Sequence, residues 1–155
     1  MISNRLELAL ERLQPSDWNR FERLASVFLA TEFDELRTVA SPSGDEGRDA
    51  ELFSTASEPN VVIQYSVSAD WRGKINATAR RLNKTIPNAL ILIYITNQVI
   101  GAGSDSLKKT LRAKQGLTLD IRDRHWFLER VFESTGRQQA AEELARVIVD
   151  PYLSS

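Results

Sequence analysis

The spacing of hydrophobic residues along the chain changes between two periods, one typical of helices and one typical of strands. Trp18, Phe21, Leu24, Ala25 and Phe28 recur every three or four positions, which predicts a helix over residues 18–31 with one apolar face. The same spacing, together with capping residues and breakers such as Pro87, predicts further helices. These lie over residues 6–13, 70–84, 105–114, 124–133 and 137–149.

Shorter apolar runs between turn residues predict five strands, over residues 36–40, 48–53, 61–67, 89–95 and 117–121. The run 89–95 is almost entirely apolar, which is typical of a strand buried on both faces near the middle of a sheet. The order helix, three strands, helix, strand predicts an α/β fold with a mixed sheet flanked by helices. The helix over 70–84 would join two parallel neighbours.

Composition sets limits on the function. The chain has 155 residues, 42% of them hydrophobic and 26% charged, which predicts a single globular domain. With a formal net charge of -1, any nucleic-acid binding has to come from a local basic patch. The absence of cysteine excludes disulfides and thiolate metal sites. No apolar run approaches the roughly 20 residues of a membrane span, so we expect a cytoplasmic protein with no membrane partner.

A cluster of acidic residues is the first candidate for chemistry. Residues 44–49 read GDEGRD, and four acids, Asp45, Glu46, Asp49 and Glu51, fall within seven positions. Asp49 and Glu51 are two apart on the predicted strand 48–53, so their side chains are expected on the same face. Carboxylates are the ligands that Mg²⁺ or Mn²⁺ prefers. A solvated hairpin with exposed charges is the alternative interpretation.

Two further polar residues stand at positions where apolar ones are expected. Gln64 interrupts the buried strand 61–67, where a polar side chain has to be hydrogen-bonded within the core or act as a ligand. Glu22 follows Phe21 and borders the apolar face of the helix over 18–31. It could reach the same metal, or it could be a surface residue paired with an arginine.

These residues together resemble a known family. The pair Phe21-Glu22 in a helix, the Gly-Asp-x-Gly-x-Asp turn at 44–49 and the Val-x-x-Gln strand at 61–64 resemble the PD-(D/E)xK nuclease superfamily, nearest its Mrr-like restriction endonuclease domains. The resemblance implies a restriction-endonuclease-like fold in the order α-β-β-β-α-β. It also implies that Asp49 is the principal metal ligand, that Gln64 replaces the strand's acid, and that Glu22 or Glu51 assists. Double-stranded DNA is the implied substrate.

The chain departs from the family pattern at Ser66, where the family has a lysine. A serine hydroxyl cannot stabilise the negative charge that develops on a phosphate. The chain has five lysines and none before Lys74, and the superfamily is known for active-site residues that migrate to the helix after this strand. Lys74 is therefore the candidate replacement, although it could equally be an exposed helix lysine. Arg72 is less suited, because a guanidinium clamps phosphate rather than orienting water.

The helix over 70–84 also carries basic residues that we expect to contact the DNA backbone: Arg72, Arg80, Arg81 and Lys84. Two functions remain open: a Mg²⁺-dependent or Mn²⁺-dependent DNA endonuclease, and a catalytically inactive nuclease-fold module that binds DNA or protein. A small-molecule enzyme is a weaker third, because no glycine-rich phosphate loop or nucleophile motif is present. The resemblance implies the N-terminal part of a longer bacterial defence or restriction protein, with an ATPase or sensor domain, that cuts as a homo-oligomer.

Overall fold

A single five-stranded mixed sheet forms the centre of the molecule. The computed structural model describes residues 2–42 and 47–153. The strands lie side by side in chain order; among the first three, neighbouring strands are antiparallel, and the last three are parallel. The prediction of a mixed α/β sheet flanked by helices is thereby confirmed. The strands are β1 (Arg37–Ala40), β2 (Leu52–Ser54), β3 (Val61–Ser66), β4 (Ile91–Thr96) and β5 (Thr118–Arg122).

Helices cover both faces of this sheet. Two of them, α3 and α4, pack on one face, whereas α1, α2, α5 and α6 pack on the other. No helix in the described ranges is long and apolar enough to span a membrane. The helices are α1 (Ile2–Arg12), α2 (Trp18–Leu29), α3 (Trp71–Thr85), α4 (Asp105–Gln115), α5 (Arg124–Arg130), α6 (Thr135–Ile148) and α7 (Asp150–Leu153).

The alternation of side chains along β3 divides the core into two clusters. Val62 belongs to the cluster under α3 and α4, whereas Ile63 and Tyr65 belong to the cluster under α1, α2, α5 and α6. The indole Nε1 of Trp18 donates to the backbone oxygen of Tyr65 at 2.9 Å, which anchors the start of α2 over the end of β3. Gln64 and Ser66 therefore face α3, the helix that follows β3 along the chain.

The prediction of a strand over residues 48–53 is wrong for residues 48–51. The strand begins at Leu52, and Arg48–Ala50 form a single 3₁₀ turn closed by bonds from Ala50 N to Gly47 O and from Glu51 N to Arg48 O. Gly47 has φ 75°, a conformation that disfavours other residues. Asp49 lies in this turn, and Glu51 lies between the turn and β2. The two residues therefore do not belong to one strand, and the prediction that they share a strand face is wrong.

Candidate functional site

The turn that carries Asp49 is held by side chains from β3 and α3. The Gln64 amide Nε2 donates to the backbone oxygen of Asp49 at 2.6 Å. Arg81 donates through Nη1 to the backbone oxygen of Ala50 at 2.5 Å and through Nη2 to the backbone oxygen of Ser41. These carbonyls are thus satisfied by side chains rather than by a neighbouring strand. The position of Asp49 at the end of β3 depends on this set of bonds.

Gln64 is hydrogen-bonded inside the core through both the nitrogen and the oxygen of its amide. It is 1% exposed, and its Oε1 accepts a hydrogen bond from the Thr78 hydroxyl of α3 at 2.8 Å. Of the two roles that the sequence leaves open for a polar residue here, the structure supplies the hydrogen-bonded one. Gln64 ties α3 to the Asp49 turn, and its carbonyl oxygen is already engaged by Thr78.

The ammonium group of Lys74 contacts the Asp49 carboxylate. Its Nζ is 3.2 Å from Oδ2 and 3.3 Å from Oδ1 of Asp49. The Asp49 side chain is 15% exposed and that of Lys74 33%, so the pair sits at the edge of solvent. Sequence reasoning selects Lys74 by elimination, and the structure places its ammonium group against the Asp49 carboxylate.

The beginning of α3 explains why Lys74 reaches this point. Asp70 caps the helix, and its Oδ1 accepts from Gly73 N at 3.1 Å. A Cβ at Gly73 would lie 2.3 Å from Asp70 Oδ2, so a glycine is needed for the capping carboxylate to pack this closely. The capped first turn places the next residue, Lys74, toward the sheet and the Asp49 turn.

Ser66, the position that differs from the family pattern, is buried beneath this pair. It is fully enclosed, and its hydroxyl accepts from Ser68 N at 3.1 Å. Tyr94 of β4 lies beside it, and burial raises the pKa of the Tyr94 phenol, an effect that the Ser66 hydroxyl partly offsets. The carboxylates of Asp49 and Asp70 raise that pKa further. Tyr94 is a site residue that sequence reasoning missed, although it interrupts the apolar run 89–95.

Two predicted metal ligands are not part of this arrangement. The Glu22 carboxylate accepts from the Ser26 hydroxyl of its own helix at 2.8 Å, and Glu22 lines a different cavity, on the α2 side of the sheet. Glu51 accepts from the Thr38 hydroxyl at 3.1 Å and lies 3.5 Å from Arg48. Neither carboxylate contacts Asp49 or Lys74 in the structure.

The remaining acids decide how well a metal ion fits. Asp45 and Glu46 lie outside the described residues. Within residues 2–42 and 47–153, no group of three or more histidine or acidic side chains could hold a metal ion. Mg²⁺ at phosphate sites is commonly held by one or two carboxylates, with water and phosphate oxygens completing its shell. Asp49 fits as one such ligand, whereas Gln64, Glu22 and Glu51 are engaged elsewhere.

The basic residues of α3 do not form one continuous strip. Arg81 donates to the carbonyls of Ser41 and Ala50, which gives it a structural role, and its contact with DNA stays a prediction. Arg72 donates to the backbone oxygen of Gly103 at 2.7 Å and stacks near the Trp71 ring. Arg72, Arg80 and Lys84 are exposed and remain candidates for phosphate contacts.

A groove of about 600 Å³ opens beside the Asp49 and Lys74 pair. Gly47, Arg48, Trp18 and Ser68 also line it. The Arg48 guanidinium lies 5.1 Å from the centre of the Trp18 ring, and Nη2 is 3.4 Å from Asn19 Oδ1. Arg48 is a second cation at this site that sequence reasoning missed, although its place inside the GDEGRD motif could have indicated it.

Comparison of the chain with known proteins adds no assignment to this geometry. No protein-family model, no curated protein and no solved structure matches it. The class of protein is therefore argued from the site itself.

Proposed function

We propose that the chain is a metal-dependent DNA endonuclease with a restriction-endonuclease-like, Mrr-like fold. The observation that carries this proposal is the Lys74 ammonium at 3.2 Å from the Asp49 carboxylate, on the side of β3 where Gln64 and Ser66 face α3. The arrangement supplies the cation that Ser66 cannot supply, next to the acid that the resemblance assigns to the metal.

Each residue of the site has a distinct part in the proposed hydrolysis. Asp49 would hold a Mg²⁺ or Mn²⁺ ion, which would supply an activated water and neutralise phosphate charge when bound. The ammonium of Lys74 stabilises the negative charge that develops on the phosphate oxygens. Gln64 and Arg81 are positioning residues, because they hydrogen-bond the backbone of the turn that carries Asp49.

The groove beside the pair is where DNA would lie in this proposal. Arg48 borders the groove, and Arg72, Arg80 and Lys84 project from α3, so several cations could contact phosphates without reading bases. With a net charge of -1, binding would depend on this local group and would weaken steeply with salt.

The biological setting of the proposal rests on the family resemblance alone. It would be an effector domain in a bacterial defence or restriction system in the cytoplasm. A fused or associated ATPase or sensor domain would control cutting, and a homo-oligomer would bring two active centres to the two strands of the duplex.

A second function is favoured by one specific observation. Asp49 is the single acid of the predicted ligand set that contacts Lys74, and both polar atoms of the Gln64 amide are engaged within the protein. Such a reduced set of possible metal ligands is expected of a module that kept the fold, lost the nuclease activity and binds DNA or a protein partner.

One experiment separates the two functions. The protein is incubated with supercoiled plasmid and Mg²⁺, Mn²⁺ or a chelator, beside Asp49→Asn, and duplex binding is measured in the same buffers. The nuclease proposal expects metal-dependent nicking that falls about 100-fold or more in Asp49→Asn. Duplex binding without nicking under every metal condition, in the protein together with any fused partner, would replace it with the binding module.

A further inference from the structure

A second cavity, of about 510 Å³, lies on the α2 side of the sheet and shares no lining residue with the groove at Asp49. Its volume is within the range of cavities that bind small molecules. Aromatic side chains from two separate elements, Phe33 and Phe53, form part of its wall. This is the cavity that Glu22 lines.

The charge of this cavity is of one sign. Three carboxylates line it, those of Glu22, Asp34 and Glu35, and no lysine, arginine or histidine of residues 2–42 and 47–153 does. Elsewhere in the described ranges several acids are paired with arginines, as Asp150 is with Arg5. The carboxylates of Glu22 and Asp34 instead accept hydrogen bonds from the serine hydroxyls of Ser26 and Ser57. Negative charge beside an apolar wall is left without a counter-ion from the described part of the protein.

A buried phenol provides a second, independent observation. Tyr65 is 1% exposed and lines this cavity, yet its hydroxyl makes no hydrogen bond of standard geometry within residues 2–42 and 47–153. The pKa of Tyr65 is raised to about 12, mainly by burial; the Ser26 hydroxyl partly offsets this rise and Glu22 adds to it, so the phenol is neutral at physiological pH. Buried hydroxyls are usually paired, and the nearby Ser26 hydroxyl donates to Glu22 instead.

We propose that this cavity binds a small organic cation, an ammonium or guanidinium group carried on an apolar or aromatic body. Glu22 is its counter-ion, and the Tyr65 oxygen accepts one of its N–H groups. Phe33 and Phe53 pack against the apolar body, and the Phe53 ring offers a face that attracts a cation, whereas Arg122 already lies 6.0 Å from the centre of the Phe33 ring. Asp34 and Glu35 at the exposed rim raise the local concentration of cations. The proposal does not depend on nuclease activity, because none of the residues that it uses lines the groove at Asp49.

The test uses three probes of similar shape and different charge: phenethylammonium, 2-phenylethanol and 3-phenylpropanoate. Binding is followed by shifts of backbone amide resonances in two-dimensional NMR spectra. We expect saturable shifts around Glu22, Phe33 and Tyr65 with phenethylammonium, affinity for the alcohol lower by about tenfold, and no binding of the anion. Equal affinity for the amine and the alcohol would overturn the proposal, and so would shifts that map away from the cavity.

Variants identify the residues responsible. Glu22→Gln is expected to weaken phenethylammonium binding about tenfold, and Tyr65→Phe about threefold. Glu7→Gln, which changes an exposed glutamate on α1, is the matched control and should bind as the unaltered protein does. An additional measurement needs no variant: raising the salt concentration should weaken the amine more than the alcohol. Unchanged affinity in Glu22→Gln, or equal salt dependence of the two probes, would refute the role of the carboxylate.

Discussion

Arg81 of α3 holds the turn at Asp49 through the Ala50 carbonyl, and this role can be tested by comparing the substitution of Arg81 with that of its neighbour Arg80. Arg81 and Arg80 are adjacent on α3, and the sequence assigns both to DNA binding. In the structure, Arg81 holds the carbonyls of Ser41 and Ala50, which lie on either side of the acidic segment 43–46. Arg80 is exposed. Arg81→Met keeps most of the aliphatic stem and removes both hydrogen bonds.

The expected cost follows from the two bonds. A hydrogen bond from a charged donor contributes about 1.5 to 3 kcal/mol when buried, but the bond to Ser41 is exposed and contributes less. We therefore expect Arg81→Met to lower the free energy of unfolding by about 1 to 3 kcal/mol. For a chain of this size, that corresponds to a fall in Tm of roughly 2 to 12 °C. Arg80→Met should stay within about 0.5 kcal/mol of the unaltered protein.

Urea unfolding followed by circular dichroism gives the free energies, and hydrogen exchange locates the change. The amides of Ala50 and Glu51 close the turn at Asp49, so their exchange should accelerate in Arg81→Met and not in Arg80→Met. Equal stability of the two variants would refute the structural role of Arg81. Unchanged exchange at Ala50 and Glu51 would refute its action on the turn.

Three further predictions concern hydrogen bonds and titration. Gln64→Met is expected to lower the free energy of urea unfolding by about 2 to 4 kcal/mol. In a protein that already carries Thr78→Val, the same substitution should cost less, because no Thr78 hydroxyl is then left unpaired; additive costs of the two substitutions would contradict this. Tyr65 and Tyr94 have raised pKa values, so they stabilise the fold below about pH 10 and lose that contribution as pH rises through the folded pKa. Phenolate absorbance should therefore lag behind that of denatured protein between about pH 10 and 12, and coincident curves would refute it. Asp123→Ala, which removes the cap of α5 and a bond to Ile100 N, should cost about 1 to 2 kcal/mol; a neutral effect would argue against the cap.

Elements with a regular hydrophobic period were predictable from the sequence. The helix predicted over residues 18–31 is observed as Trp18–Leu29, and that predicted over 70–84 as Trp71–Thr85. Their apolar faces pack on the sheet, so local pattern and tertiary packing agree. The apolar run 89–95 is an interior strand, as predicted, although β3 rather than β4 occupies the middle of the five-strand order.

The turn at Asp49 was not predictable, because distant residues form it. Residues 48–53 have a pattern that is compatible with a strand, but the carbonyls of Asp49 and Ala50 are taken by Gln64 and Arg81. Those bonds join positions 15 and 31 residues apart. Local propensity contains no information about them.

The candidate site was predictable at Lys74 but not at Glu22. Lys74 could be selected because this chain has Ser66 where the family pattern has a lysine, and because no lysine precedes Lys74. Glu22 could not be placed, since a helix period shows which residues face the sheet but not which end of the sheet they reach. The structure shows Glu22 bonded to Ser26 and lining a separate cavity.

Removal of the Lys74 ammonium tests whether this group stabilises the phosphate charge during hydrolysis. Nicking of supercoiled plasmid with Mn²⁺ is compared for the unaltered protein, Lys74→Met and Lys84→Met, the last removing an exposed lysine from the same helix. We expect Lys74→Met to lower the rate about 100-fold or more, with duplex binding and stability close to those of Lys84→Met. Nicking by Lys74→Met at the rate of Lys84→Met would contradict the account.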